Sequence, residues 1–225
     1  MRQGRLVVFE GPEGAGKTTQ VARLAARLED LGVDTVALRE PGGTQLGDFI
    51  RDAVLDPARK ISAEAEALLF MASRAELVEE RIRPSLTRGF VVLLDRFFLS
   101  TYAYQIAGRG LPEAKLRAAN SLATGGLTPD ITVLLELPAG AGLSRAATRG
   151  PRDRMERTGD AFHERVVAAF SEYATPKWQA SHPECGPIVR VDASGGVEEV
   201  EAKIAAALAA GCPEPFSVLA QTVTT

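Results

Sequence analysis

The chain has 225 residues, 45% of them hydrophobic and 24% charged, with a formal net charge of −3. That length and balance suit one globular domain with a sizeable core, and the lack of a basic excess argues against nucleic-acid binding. No apolar run approaches the ~20 residues of a membrane span. Glu10 interrupts any stretch that could serve as a signal peptide, and Cys185 and Cys212 have no metal-like or C-x-x-C spacing. The expectation is a cytoplasmic protein with no membrane contact.

The first element in the chain is a buried strand at 6–9, followed at once by "GPEGAGKTTQ". Gly11, Gly16, Lys17 and Thr18 fit G-x-x-x-x-G-K-[ST]. In that pattern glycines let backbone N–H groups curl around a polyphosphate, the lysine reaches its outer oxygens, and the hydroxyl faces magnesium. A helix starts at about Lys17, because Val21, Leu24, Ala25 and Leu28 recur at helical spacing. Its unsatisfied N–H groups point at whatever the loop holds. The run Gly11, Pro12, Glu13, Gly14, Ala15, Gly16, Lys17, Thr18 and Thr19 therefore reads as a nucleoside triphosphate site.

Apolar, β-branched runs at 34–39, 90–95, 131–137 and 187–192 read as four more strands. Helical patterns occupy 46–55, 63–80, 113–123, 140–148, 160–178 and 197–209, with a short helix over 101–105. The alternation predicts an α/β, three-layer P-loop fold, a five-stranded parallel sheet flanked by helices, in a single domain over 1–210. The polar stretch 149–159 suits a mobile loop, and 211–225, with two prolines, reads as a frayed or loosely docked C-terminal extension.

The strand "VVLLD" delivers Asp95 to the carboxyl edge of the sheet, where open α/β folds bind ligands, so Asp95 and Thr18 are expected to meet at a magnesium ion. Arg96, beside it, is placed to grip a second anion bidentately. Arg145, Arg149, Arg152, Arg154 and Arg157 crowd a stretch whose only acids are Asp153 and Glu156, whereas residues 12–15 carry no cation. Joining a phosphate acceptor to a triphosphate gathers negative charge that cations must neutralise. An arginine-rich lid over 149–159, closing on bound substrates, would supply them while excluding water.

Five stretches, "FEGPEGAGKTTQ", "REPGGTQLGDFIR", "LLFMASRAEL", "DRFFLSTYAYQ" and "DRMER", together resemble the bacterial thymidylate kinases, members of the P-loop nucleoside monophosphate kinases. The resemblance implies transfer of a phosphoryl group from ATP to dTMP with Mg2+, giving dTDP for dTTP synthesis and DNA replication, in a homodimer. It implies that Phe70 stacks on thymine and Arg74 donates to its O4. Arg51 and Arg96 would hold the dTMP phosphate. Ser100, Thr101 and Gln105 would border the nucleotide, with Tyr104 against the sugar at C2′. Glu13, where the family commonly has aspartate, would contact dTMP or a metal-bound water. Arg145 would lie over adenine, and Arg149 and Arg154 would be the catalytic lid arginines beside Lys17, Arg96 and Glu13.

Two other readings compete. One is a kinase for a different nucleotide or nucleoside, against which Arg51 and Arg96 favour a phosphorylated acceptor. The other is a nucleotide-dependent switch, against which the chain has neither an N-K-x-D signature nor a D-x-x-G at the Asp95 strand end.

Overall fold

The computed structural model describes residues 4–138, 142, 145 and 153–219. Five parallel strands form one sheet in the order β2-β3-β1-β4-β5: β1 Arg5–Glu10, β2 Thr35–Arg39, β3 Val91–Asp95, β4 Ile131–Glu136 and β5 Ile188–Asp192. The central strand β1 pairs with β3 on one side, Val8 opposite Leu94, and with β4 on the other, Val8 opposite Thr132.

Both faces of β1 are buried, and alternate residues serve different layers. Val7 and Phe9 pack with Val21, Leu24 and Leu28 of α1 (Lys17–Asp30) and with Val200, Ile204 and Leu208 of the late helix Val197–Gly211. Leu6 and Val8 face the other layer. There α2 (Gln45–Leu55), α3 (Ala63–Leu77), α4 (Arg83–Thr87), α5 (Phe98–Thr101), α6 (Glu113–Thr124) and α7 (Asp160–Tyr173) gather. The expected five-stranded, three-layer arrangement is thus present, and the carboxyl ends of β1, β2 and β3 all deliver residues to one edge.

Three helical expectations change. The helix expected over 63–80 runs further: α3 passes through a widened π-helical turn, Val78–Ile82, straight into α4. That turn lies where the Pro84 ring would otherwise strike a carbonyl of the preceding turn, so the helical path continues past a proline. The single helix expected over 160–178 is two. α7 ends at Tyr173, and α8 (Pro176–Ser181) restarts with Pro176 at its first position and the Thr175 hydroxyl accepting from the Trp178 amide at 3.4 Å. The short helix expected over 101–105 spans α5 and a π-helical continuation, Tyr102–Gly108. The helix expected over 140–148 falls outside the described residues except at 142 and 145.

The C-terminal segment is not frayed as far as it is described. After α9 (Val197–Gly211) a short helix α10 (Pro213–Phe216) turns the chain back, burying Phe216 and Leu219 completely against the α1 and α9 layer. Arg27 of α1 donates to the Leu219 carbonyl at 2.9 Å. Truncating a buried phenylalanine costs about 3 to 5 kcal/mol. Phe216→Ala should therefore lower the unfolding free energy by that much in urea titrations. A loss below about 1 kcal/mol, the scale of an exposed site, would mean the tail is not docked.

Candidate active site

The loop between β1 and α1 closes around Lys17. Its Nζ donates to the carbonyls of Gly11 (2.9 Å) and Pro12 (2.8 Å), folding the buried side chain back over its own loop. Burial, and then the Arg96 charge, pull this amine down to about 8. Gly14 has φ 71°, and a Cβ built on it would come within 2.0 Å of the Gly142 carbonyl oxygen. The loop thus leans backbone to backbone on the segment after β4. Gly16, left-handed with φ 89°, precedes the first residue of α1, and Thr18 and Thr19 stay exposed on its first turn.

Asp95, at the end of β3, meets this loop as expected: the Thr18 hydroxyl donates to its Oδ2 at 2.6 Å. Its Oδ1 is buried with no hydrogen-bond partner among the described residues. Arg96 then takes the left-handed conformation, φ 73°, that a side-chain-bearing residue adopts only at a cost of about 1 to 3 kcal/mol. The turn aims its guanidinium into the crevice. Nη1 donates to the Ser100 hydroxyl (3.0 Å) and the Gly11 carbonyl (3.3 Å), Nη2 lies 3.8 Å from Glu13, and the group rests 5.1 Å from the Tyr104 ring centre. Burial works to raise the Glu13 pKa, but the charges of Arg96 and then Lys17 oppose it, and the carboxyl is held below the usual range.

These groups form one end of a cavity of about 310 Å³. Arg51, Phe70, Arg74, Ser100, Thr101, Tyr104 and Gln105 line the remainder, together with Arg39. Arg51 donates to the Pro41 carbonyl at 3.0 Å, and its proton affinity is lowered by burial and then by the charges of Arg39 and Arg96. Cations crowded this closely repel one another unless an anion sits among them.

Glu66, Phe70 and Arg74 repeat at i+4 along α3 and so share one face. Arg74 is almost fully buried and donates four hydrogen bonds to protein acceptors, with Glu40 as its ion-pair partner. Nε and Nη2 reach Glu40 (2.8 and 2.7 Å), Nη2 also reaches the Phe97 carbonyl (2.8 Å), and Nη1 bonds the Thr101 hydroxyl (3.0 Å) and Asn120 Oδ1. Gln105 donates to Glu66 at 3.1 Å. The Tyr104 hydroxyl is buried without a hydrogen-bond partner among the described residues, and burial raises its pKa well above 10.

The arginine-rich stretch departs from expectation. Arg149 and Arg152 lie outside the described residues. Arg145 stands apart from the cavity and donates to the Ala193 and Ser194 carbonyls after β5, at 3.1 and 3.2 Å. Arg154, expected at the reacting phosphates, does not line the cavity. Its Nη2 pairs with the buried Glu66 at 2.7 Å and its Nε donates to the Val54 carbonyl at 2.6 Å, so its charge is held by a desolvated carboxylate in the wall.

Its neighbours Asp153, Met155 and Glu156 do line the cavity, as do Arg39, Glu40 and Pro41. None of these was singled out from sequence. Arg39 to Pro41 sat inside the quoted "REPGGT", which is the signal that could have found them.

The family model described as thymidylate kinase matches residues 9–204. A thymidylate kinase of Deinococcus radiodurans is 50% identical over 208 residues, 92% of this chain and 98% of that one. Another, from Thermomicrobium roseum, is 48% identical over 191 residues, 83% of this chain and 90% of that one. The crystal structure of thymidylate kinase from Ehrlichia chaffeensis superposes with a TM-score of 0.70 at 28% identity, covering 92% of this chain and 99% of that one. With a P-loop, a strand-end aspartate and a cation-lined cavity assembled at one sheet edge, and relatives matched along nearly their whole length, the chain belongs to the thymidylate kinase family.

Proposed function

We propose that this cavity is where the chain works as a dTMP kinase, transferring the γ-phosphoryl group of ATP to dTMP to give ADP and dTDP. The observation that carries the assignment is the convergence of Lys17, Arg39, Arg51 and Arg96 on one cavity, with the P-loop at one end and the Phe70 ring at the other. In this reading ATP lies on residues 11–19 with Arg145 toward adenine. The dTMP phosphate meets Arg51 and Arg96, thymine lies on Phe70, and Ser100, Thr101 and Gln105 border the nucleotide. Arg74, to reach the base O4, exchanges one of its present partners. Tyr104 packs at C2′, and Glu13 contacts dTMP or a metal-bound water.

The residues fit magnesium. Asp95 presents an unpartnered carboxylate oxygen beside the Thr18 hydroxyl, both hard donors. No group of three or more His, Cys, Asp or Glu suited to a metal occurs among the described residues, as suits an ion that keeps waters and takes phosphate oxygens as ligands. When bound, it neutralises charge on the β- and γ-phosphate oxygens.

The rest of the reaction is positioning. A dTMP phosphate oxygen forms the new bond to the γ-phosphorus as the bond to the β,γ-bridging oxygen breaks, and no protein nucleophile or general base is needed if the acceptor arrives as a dianion. Lys17 leaves the Gly11 and Pro12 carbonyls for the phosphates. Arg149 remains the candidate for the charge that develops on them.

No helix among the described residues is long and apolar enough to cross a membrane; a cytoplasmic location is part of the same proposed reading. A homodimer is supported by Phe49, Leu68 and Leu122, each more than half exposed, on α2, α3 and α6, which pack side by side.

ADP release with ATP and magnesium, measured on dTMP, dUMP, dCMP and thymidine, should be confined chiefly to dTMP. Arg96→Ala should lower kcat/KM for dTMP by about 10²- to 10³-fold while preserving the fold by circular dichroism. Turnover confined to another acceptor would overturn the role of Phe70 and Arg74.

The Lys17 amine supplies a second check. Titrating at about 8 in the ligand-free protein, it is mostly neutral above that pH, and a polyphosphate placed against it favours the charged form. ATP binding at about pH 8.5 should therefore take up protons, seen by calorimetry in buffers of different ionisation enthalpy, and the uptake should vanish toward pH 7 as the amine becomes protonated beforehand. Equal heats in all buffers at the higher pH would mean that Lys17 does not gain a proton when ATP binds, against this account of the amine.

A further inference from the structure

Glu66 is fully buried on α3, one turn before Phe70, and it is the meeting point of three side chains from distant parts of the chain. Arg109 binds it bidentately, Nε at 3.1 Å and Nη2 at 2.9 Å. Gln105, in the cavity wall, donates to it at 3.1 Å, and Arg154 pairs with it at 2.7 Å. Despite burial, these donors hold the Glu66 carboxyl below its ordinary pKa.

The two arginines also converge on the sulfur of Met155, at 3.7 Å from Arg109 and 3.5 Å from Arg154. Arg154 is tied at two further points, its amide to the Leu55 carbonyl at 3.0 Å and its Nε to the Val54 carbonyl at 2.6 Å.

The turn that Arg154 belongs to is stiff in itself. The Asp153 amide donates to Glu156 Oε2 at 3.2 Å, and the Glu156 amide donates to Asp153 Oδ1 at 2.9 Å, a reciprocal pairing like that of a capping box. A rigid turn fastened at one point is fixed as a whole. This one presents Asp153, Met155 and Glu156 to the cavity, with Asp153 close enough to raise the proton affinity of Arg51 against its cationic neighbours.

We propose that Glu66 is a positioning residue for the acceptor nucleotide: through Arg154 and Arg109 it clamps the 153–157 turn against α2 and α3, so that this turn forms the outer wall of the dTMP pocket. Arg154 acts in that clamp and not on the transferring phosphoryl group. The inference rests on the reading that the cavity accepts dTMP.

The test is steady-state kinetics with each substrate varied, alongside calorimetric binding of dTMP, for Glu66→Gln, Arg154→Met, the double variant and Arg154→Lys. Each of the first two should raise KM and Kd for dTMP about tenfold or more, with KM for ATP unchanged and kcat within about threefold. The double variant should be no worse than the weaker-binding single one, since both changes open the same clamp. Arg154→Lys should recover part of the affinity.

A fall in kcat of about 100-fold for Arg154→Met with Kd for dTMP unchanged would place Arg154 on the phosphates and overturn the clamp. So would losses of affinity that multiply in the double variant. If Glu66→Gln does not fold, having left two arginines facing a neutral group, Arg154→Met and Arg154→Lys carry the test alone. Absence of dTMP turnover by the unaltered protein would instead strike at the assigned acceptor, which keeps the two failures distinct.

Discussion

The carboxylate of Glu10, wholly buried at the end of the central strand, accepts the backbone N–H of Phe97 (2.7 Å) and of Ser100 (3.0 Å) and the hydroxyl of Ser100 (2.7 Å). These three bonds tie β1 to the start of α5 across a turn that contains the left-handed Arg96. A buried carboxylate left unsatisfied is costly, so the turn closes around Glu10 in one way. From that closure follow the direction of the Arg96 side chain and the placement of Ser100, Thr101, Tyr104 and Gln105 on successive turns of the helical segment beyond. The strain at Arg96 is sustained because its neighbours over-determine it.

Electrostatics builds on this frame. The chain as a whole is acidic, yet the cavity gathers Lys17, Arg39, Arg51 and Arg96 within mutual influence, as the lowered proton affinities of Lys17 and Arg51 register. The acids nearby have separate tasks. Glu40 pairs with Arg74 in the wall, Glu13 faces Arg96, and Asp95 is partly spent on Thr18. The remaining positive field acts on a small, partly desolvated volume, where it is stronger than in open solvent. A net charge taken over the sequence averages this away, which is why composition argued against nucleic acid as a partner but could not reveal the anion site.

What could be read in the sequence divides along a physical line. The P-loop, the strand ending in Asp95 and the apolar face of α1 are local patterns whose spacing carries its own geometry, and they stand where expected. Glu66 with Arg154, and Arg74 with Glu40, Thr101 and Asn120, are joined only by the fold, and no spacing predicts which arginine a buried carboxylate will capture. Arg154 therefore looked like its neighbours in a basic run, though the structure ties it into the wall. The tail misled for another reason: Pro213 and Pro215 are read as breakers, while Phe216 and Leu219 behind them, three apart, were the apolar signal of docking.

The sheet order has a consequence for how the chain is made. Of the five strands of the sheet, β1 is made first and occupies the centre, and its two partners, Val91–Asp95 and Ile131–Glu136, lie well downstream. A nascent chain therefore carries this apolar strand, and the glycine loop behind it, without its sheet neighbours until those downstream strands have been made. Pairings between such distant segments form slowly, and exposed strands of this kind invite association with other chains. The arrangement that places the P-loop at the heart of the sheet edge thus leaves its strand unpaired through the early part of synthesis.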